Sequence, residues 1–291
     1  MKIERIAALY TPWVPRMQCP LCHRSLTLDA PGHSLRCEGG HCFALSAKGY
    51  VNFVPNQAQR QAKYDKALFE SRGRILAQGL YAPVADALRT LAAQYALGPL
   101  LLDAGCGEGY YTRFLSQGGA FEPAGMDLEK EAVALACHGG AVAPFLAADL
   151  NHLPFASGSL HAVLNILTPA CYPEFQRVLA PGGVVLKVIP GEDYLREIRT
   201  GLGGASGYSN ARVVRHFEES LQTLHRARLR YTHPLSPQQA ADFLRMTPLS
   251  FSGSAQRIAP EMLDEITIDL EVLVGKPFCE PSDKTNPGLW R

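Results

Sequence analysis

From residue 100 onward, short apolar runs with β character alternate with segments whose apolar residues recur at helical spacing, the signature of a parallel sheet joined by crossover helices. The runs at 100–103, 124–127, 145–148, 162–167 and 184–189 read as strands, and 110–117, 130–138 and 174–179 as the helices between them. A Gly- and Ser-rich break at 201–209 reads as a surface loop. Beyond it, apolar runs at 224–231 and 266–274 flank a helical pattern at 237–246. They complete an expected seven-stranded α/β sheet whose last two strands form a hairpin-like pair around an insertion. Upstream, Leu68, Ile75, Leu76, Leu80, Val84, Leu88 and Leu91 keep close to helical spacing, and Gly79 and Pro83 divide them between two helices. Residues 57–66, rich in Gln, Ala and Lys, read as an exposed linker. Residues 17–55 are rich in Cys, His and Gly with little periodicity. They suit a small module held by a metal, because so short a segment buries little apolar surface. The expected division is a zinc-binding module at 1–55, linker and helices at 56–96, and the main domain at 97–291.

Composition narrows the class. With 47% hydrophobic residues in 291, the chain has enough material for a sizeable core. No apolar run approaches the roughly 20 residues of a membrane span. The first residues lack a hydrophobic stretch followed by a small-residue cleavage site, so the protein is expected in the cytoplasm. A formal charge of +1 gives no global positive field of the kind that marks many nucleic-acid binders, although a basic face balanced elsewhere is compatible with it. Four of the eight cysteines crowd between Cys19 and Cys42, which in a chain without a secretion signal favours metal over disulfides.

Two constellations carry chemistry. In LLLDAGCGEGYYT a buried strand ends at Asp103, and Gly105, Gly107 and Gly109 follow at alternate positions before a helix. Glycine permits a tight turn and lets a ligand approach the backbone, although the spacing differs from the dinucleotide pattern. Asp127 closes the next strand, where a carboxylate can accept ribose hydroxyls, and Asp149 the third, where it can receive an adenine amino group. Acids at three successive strand ends lie where open α/β sheets bind ligands; ordinary helix caps are the bland alternative. The second constellation is Cys19-Pro-Leu-Cys22 followed by Cys37-Glu-Gly-Gly-His41, two knuckles able to close a tetrahedral structural site. Cys42, His23 and His33 are further candidate ligands.

The loop DAGCGEGYYT, the strand-end Asp127 and Asp149, and LAPGGVVLKVIP resemble the Rossmann-like S-adenosylmethionine (SAM)-dependent methyltransferases. The resemblance implies that SAM is the cofactor, with Asp103 facing its positive end and Glu108 and Gly107 lining its methionine side. The order of CPLC and CxxxH, AKGYVNFVP, DKALFESR, GLYAP, DAGCGEGYYT, LNILTPA and MTP resembles more narrowly the bacterial 23S rRNA (guanine-N1)-methyltransferases, which include the branch associated with resistance to tylosin-type macrolides. It covers nearly the whole chain, from about Met17 to Gly275. By this resemblance zinc falls on Cys19, Cys22, Cys37 and His41, and further cofactor contacts fall on Tyr81 and Tyr194. The segment before Cys19 has no place in the family pattern.

For such an enzyme the methyl arrives already activated, and the protein must bring a nucleophile in line with it. Guanine N1 also carries a proton that must leave, and no base for it stands out in the sequence. Asn165, at the end of the fourth strand, is the candidate catalytic residue: its amide either bonds a base edge or braces the turn. Guanine N1 is occupied in a duplex, so the implied partner is an unpaired guanine in a hairpin loop of 23S rRNA. The zinc module, with Arg16, Arg24, Arg36 and Lys48 for phosphates and Tyr50 and Phe53 for stacking, is the candidate RNA grip. Arg196, Arg199, Arg212, Arg215, Arg226, Arg228 and Arg230 form a second basic set that would matter only if gathered on one face. The competing readings are methylation of a small metabolite or protein, and a binding protein on a decayed methyltransferase fold. Assembly is left open, a homodimer included, and no membrane partner is expected.

Overall fold

The computed structural model describes residues 3–29, 33–54, 65–138, 140–202, 209–247 and 258–278. Most of the expected linker, the centre of the loop at 201–209, Pro248 of the MTP motif and Cys279 lie outside these residues. Helix α1 (Ile3–Tyr10) opens the chain, and β1 (Leu26–Leu28), β2 (Ser34–Cys37) and β3 (Cys42–Ala44) form a small antiparallel sheet. Strand β4 (Tyr50–Asn52) follows, then α2 (Lys66–Ala77) and α3 (Ala82–Tyr95). The main domain runs β5 (Leu100–Ala104), α4 (Tyr110–Ser116), β6 (Glu122–Asp127), α5 (Lys130–Ala136), β7 (Phe145–Ala147) and β8 (Leu160–Ile166). It continues through α6 (Tyr172–Val178), β9 (Leu179–Pro190), α7 (Arg196–Gly201), α8 (Ala211–Ser220), β10 (Gln222–Pro234), α9 (Pro237–Met246) and β11 (Glu265–Lys276).

The large sheet has the order β10-β11-β9-β8-β5-β6-β7-β4. The seven expected strands are present, and the last two pair antiparallel as a long hairpin around α9. The eighth strand is β4, which runs parallel to β7 with Tyr50 opposite Phe145, so the sheet crosses the expected boundary at residue 55. From β5 the chain steps outward to β6 and β7, then returns to β8 on the other side of β5 and steps away again. The chain therefore leaves β5 and β8 in opposite directions, and this is the switch point at whose carboxyl ends open α/β sheets bind ligands.

Local chemistry accounts for the helix boundaries. Asp65 caps α2 by accepting from the Leu68 amide at 2.8 Å, and the break between α2 and α3 falls at Gly79, with Pro83 in the first turn of α3. Helix α9 begins with a capping box between Ser236 and Gln239. Apolar clusters cover both faces of the sheet. Two helices beside the Gly- and Ser-rich segment, α7 and α8, were not expected; α8 buries only Val214 and Phe217. The segment before Cys19 has a structural part: Ile6 and Tyr10 of α1 are fully buried, and the Tyr10 hydroxyl donates to the Phe145 carbonyl of β7 at 2.7 Å. Among the described residues no helix is long and apolar enough to cross a membrane.

Candidate cofactor cleft and metal centre

The glycine turn follows β5 at the switch point. Gly105 adopts φ +92° and approaches the loop after β8 so closely that a Cβ there would sit 2.5 Å from Cγ2 of Thr168. A side chain at this position is excluded by both backbone and space. Asp103 is buried and accepts from the Thr112 hydroxyl at 2.7 Å; burial pushes its carboxyl up to about 7. The Asp127 carboxylate accepts from the amides of Gly107 and Glu129, each at 2.9 Å, and ties the turn to the start of α5. Burial raises Asp127 and Glu108 as well, and Oε2 of Glu108 is buried without a hydrogen-bond partner. Asp149 stands half-buried at the end of the third strand, accepting from the backbone and side chain of Asn151 at 2.9 Å each. Tyr81 and Tyr194, 113 residues apart, meet hydroxyl to hydroxyl at 2.9 Å, and burial raises the pKa of both. The structure thus gathers Asp103, Gly105, Gly107, Glu108 and Asp127 around the turn. A buried carboxylate oxygen without a hydrogen-bond partner, beside the buried Asp103 and the half-buried Asp127, is a donor set suited to a cationic ligand.

Of the two roles expected of Asn165, its hydrogen bonds favour the brace. It is fully buried: its amide nitrogen donates to the carbonyls of Ala104 and Pro169, both at 3.0 Å, and its oxygen accepts from the Lys187 ammonium. With both amide hydrogens on backbone carbonyls and the oxygen bonded to Lys187, the amide braces the loop after β8. Lys187, which the sequence reading passed over as an apolar-strand residue, donates also to the Thr168 carbonyl, and burial pulls it down to about 8. The braced loop presents Leu167 at φ +52°, 41% exposed, beside the glycine turn.

Cys19, Cys22, Cys37 and His41 converge, with their ligand atoms all within 4.8 Å of one another. The Sγ atoms of Cys22 and Cys37 are 3.6 Å apart, and Nδ1 of His41 lies 3.4 Å from Sγ of Cys19 and 3.5 Å from Sγ of Cys37. The edges of a tetrahedron around zinc at ordinary bond lengths are about 3.8 Å between sulfurs and about 3.6 Å between sulfur and nitrogen. The tetrad therefore fits zinc as a closed site. Cys42 is exposed on β3, and His23 turns to Gln18 at 3.3 Å; neither joins the cluster.

The candidate RNA contacts divide. Arg24 and Lys48 are exposed, Arg36 pairs with Asp29 at 3.3 Å, and Arg16 donates to the Pro12 carbonyl at 2.6 Å. Phe53, expected to be available for stacking, is instead 4% exposed and packs on Phe43 with ring centroids 4.7 Å apart. Arg226, Arg228 and Arg230 do share one face of the edge strand β10, by its alternation. Each is held by a carboxylate, however: Glu271, Asp269 and Asp193 respectively, and Arg196 pairs with Glu197.

This sheet order, with a glycine turn and acids at its switch point, is that of a methyltransferase domain, and residues 101–183 match the family model of that description. Residues 17–62 match the model of the zinc-ribbon N-terminal domain of RlmA. YxjB of Bacillus subtilis, provisionally named a 23S rRNA (guanine-N1)-methyltransferase, is 36% identical over 273 residues, covering 89% of this chain and 96% of that protein. A protein of Micromonospora griseorubida with the same provisional name is 32% identical, covering 75% and 82%. The 23S rRNA (guanine(748)-N(1))-methyltransferase of Streptomyces fradiae is 28% identical over 90% of this chain and 97% of its own length. The chain belongs to the 23S rRNA (guanine-N1)-methyltransferase family.

Proposed function

We propose that the protein transfers the methyl group of SAM to N1 of an unpaired guanine in a hairpin loop of 23S rRNA, and that zinc holds its N-terminal module. The observation that carries the cofactor reading is the set of acids around a glycine turn at the switch point, Asp103 and Glu108 buried and Asp127 half-buried. SAM is cationic at its sulfonium, and this pocket is built for positive charge. Asp127 and Asp149 are assigned to the adenosine half, Glu108 and the Gly107 backbone to the amino-acid half, and the Tyr81–Tyr194 pair to the wall of the cleft. When bound, SAM supplies an activated methyl group and needs no covalent help from the protein. The chain's own task is to hold N1 in line with that methyl, keep water out and accept the N1 proton. Asn165 and Lys187 serve this by fixing the loop that carries Leu167, whose exposed apolar side chain offers a surface for the target base. The four zinc ligands Cys19, Cys22, Cys37 and His41 leave no open position, so zinc here supports structure. With Arg24 and Lys48 exposed on it, the module is assigned to RNA recognition.

The test is methyl transfer from labelled SAM to unmodified bacterial large-subunit rRNA, followed by reverse transcription. Methylated N1 cannot pair, so a single stop at one loop guanine is the expected result. Binding of SAM without incorporation into RNA would turn attention to the second reading, a small metabolite or protein acceptor. That reading draws on the carboxylate pairing of Arg196, Arg226, Arg228 and Arg230, which lowers the positive field of that face.

A further inference from the structure

We propose that Asp269, a carboxylate of β11 with no access to solvent, is a positioning residue for the cofactor: it fixes the turn after β9 and thereby sets where Tyr194 stands in the cleft. The inference rests on the assignment of Tyr194 to the cleft wall and extends it to the neighbouring strand of the sheet.

The chain leaves β9 at Pro190 and enters α7 at Arg196. The segment between them is strained: the buried Leu195 adopts φ +51°, which a bulky side chain keeps only where its surroundings over-determine it. Strand β11 supplies that determination. The Asp269 carbonyl accepts from the Gly191 amide at 2.7 Å, Oδ2 of Asp269 accepts from the Asp193 amide at 2.9 Å, and the Thr267 carbonyl accepts from the Leu195 amide at 2.9 Å. Tyr194 sits between the last two of these anchors, and its hydroxyl meets that of Tyr81 at 2.9 Å. A Cβ added at Gly191 would sit 2.5 Å from Cγ of Asp269, so the carboxylate packs directly on the turn.

A carboxylate cut off from water needs a counter-charge. Arg228 of β10 provides it side-on, Nε to Oδ1 and Nη2 to Oδ2 at 2.8 Å each, and holds the Asp269 carboxyl below its ordinary range. Stapling the two strands together does not by itself require this pair, because β10 and β11 already pair through their backbones from Gln222–Lys276 to Pro234–Glu265. The neighbouring pair shows the difference. Glu271 gives Oε2 to Arg226 in the same kind of bridge, but spends Oε1 on Asn210 at the start of α8. Asp269 instead ends on the amide of Asp193, the residue that precedes Tyr194.

The experiment is equilibrium binding of S-adenosylhomocysteine to the full chain in a cycle of Asp269→Asn and Tyr194→Ala, with Glu271→Gln as the control. In Asp269→Asn the new amide nitrogen must face either the Arg228 Nε–H or the Asp193 N–H, so one accepted bond becomes a clash of donors. Affinity is expected to fall roughly tenfold, the scale of one charge-assisted hydrogen bond, and the same substitution is expected to change nothing in the Tyr194→Ala background. Equal losses in both backgrounds overturn the proposal, because they would assign Asp269 to general stability. Unchanged affinity in Asp269→Asn overturns it too, as does a loss of the same size in Glu271→Gln, which would assign the effect to the hairpin. If Asp269→Asn does not fold, Arg228→Gln, at a half-exposed residue, carries the same cycle. A Tyr194→Ala chain that binds as tightly as the unaltered protein overturns the positioning role alone, whereas an unaltered protein that binds no S-adenosylhomocysteine overturns the methyltransferase reading with it.

Discussion

The Cys/His tetrad and the cleft at the switch point are both small clusters of polar groups, yet they are assembled in opposite ways. The tetrad draws all its ligands from residues 19 to 41, two knuckles joined by a short antiparallel sheet. The cleft draws on α2, the turns after β5 and β6, and the segment after β9, with Arg72 and Tyr194 at its extremes. A cluster built from near neighbours needs little scaffold but a strong local tie, because it has almost no apolar core of its own. A cluster built from distant elements inherits rigidity from the sheet and can leave a polar atom without a hydrogen bond, as Oε2 of Glu108 is, for a ligand to satisfy.

The largest expected effect tests whether the tetrad is a tie at all. In isolated finger peptides structural zinc contributes roughly 10–16 kcal/mol to folding, so chelation or Cys37→Ser is expected to unfold residues 17–54. Because β4 extends the main sheet and Tyr10 is bonded to Phe145, the loss should reach β7. Hydrogen exchange is expected to show Phe145–Ala147 losing protection; unchanged protection there would mean that the two regions are mechanically independent.

Next in size is Lys187→Met, which strips the donor from Asn165 and Thr168 and should cost about 1–3 kcal/mol in denaturant unfolding. The same variant is expected to lower kcat for methyl transfer while the Kd for SAM stays as it was. A change in SAM affinity instead would place the loop after β8 on the cofactor side of the cleft.

Titration separates the regions further. Burial raises Asp103 from 3.8 to about 7, so the folded protein holds this proton more firmly than the unfolded chain does. The stability it contributes is therefore lost as pH rises from its ordinary range toward 7. A cationic ligand needs the ionised form, so SAM affinity should fall as pH drops below 7, by up to about tenfold per unit for one proton. Calorimetry on either side of that value, in buffers of different ionisation heat, would detect the proton released on binding. A flat profile would show that Asp103 does not face the sulfonium. The smallest expected effect is at Cys42→Ser: this exposed thiol adjoins His41 but lies outside the tetrad, and zinc content should not change.

Legibility in the sequence followed the range of each interaction. Seven strands of the main sheet, the helix break at Gly79, the glycine turn and the two Cys/His knuckles rest on local spacing and could be read there. Strand β4 is too short to show a period, and only the exposed edge of β7 makes it a strand. Helix α8 buries two side chains and sits beside a Gly- and Ser-rich segment, which masked its start. Asn165 could be read as a brace or as a catalyst until Lys187, 22 residues on, was seen to occupy its oxygen. Phe53 looked available for a base until Phe43 covered it.

What the sequence determined by itself is the chemistry on offer: a fold class written in periodicity, a turn that favours glycine, and cysteines crowded at the spacing of a metal site. What the tertiary structure decided is which groups are already spent. The β10 arginines have carboxylates, Asn165 has a lysine, and Oε2 of Glu108 is left without a hydrogen bond, with the Arg72 guanidinium 4.0 Å away. Pairing depends on distances between residues far apart in the chain, and those are set only when the sheet closes and excludes water from the groups between its loops.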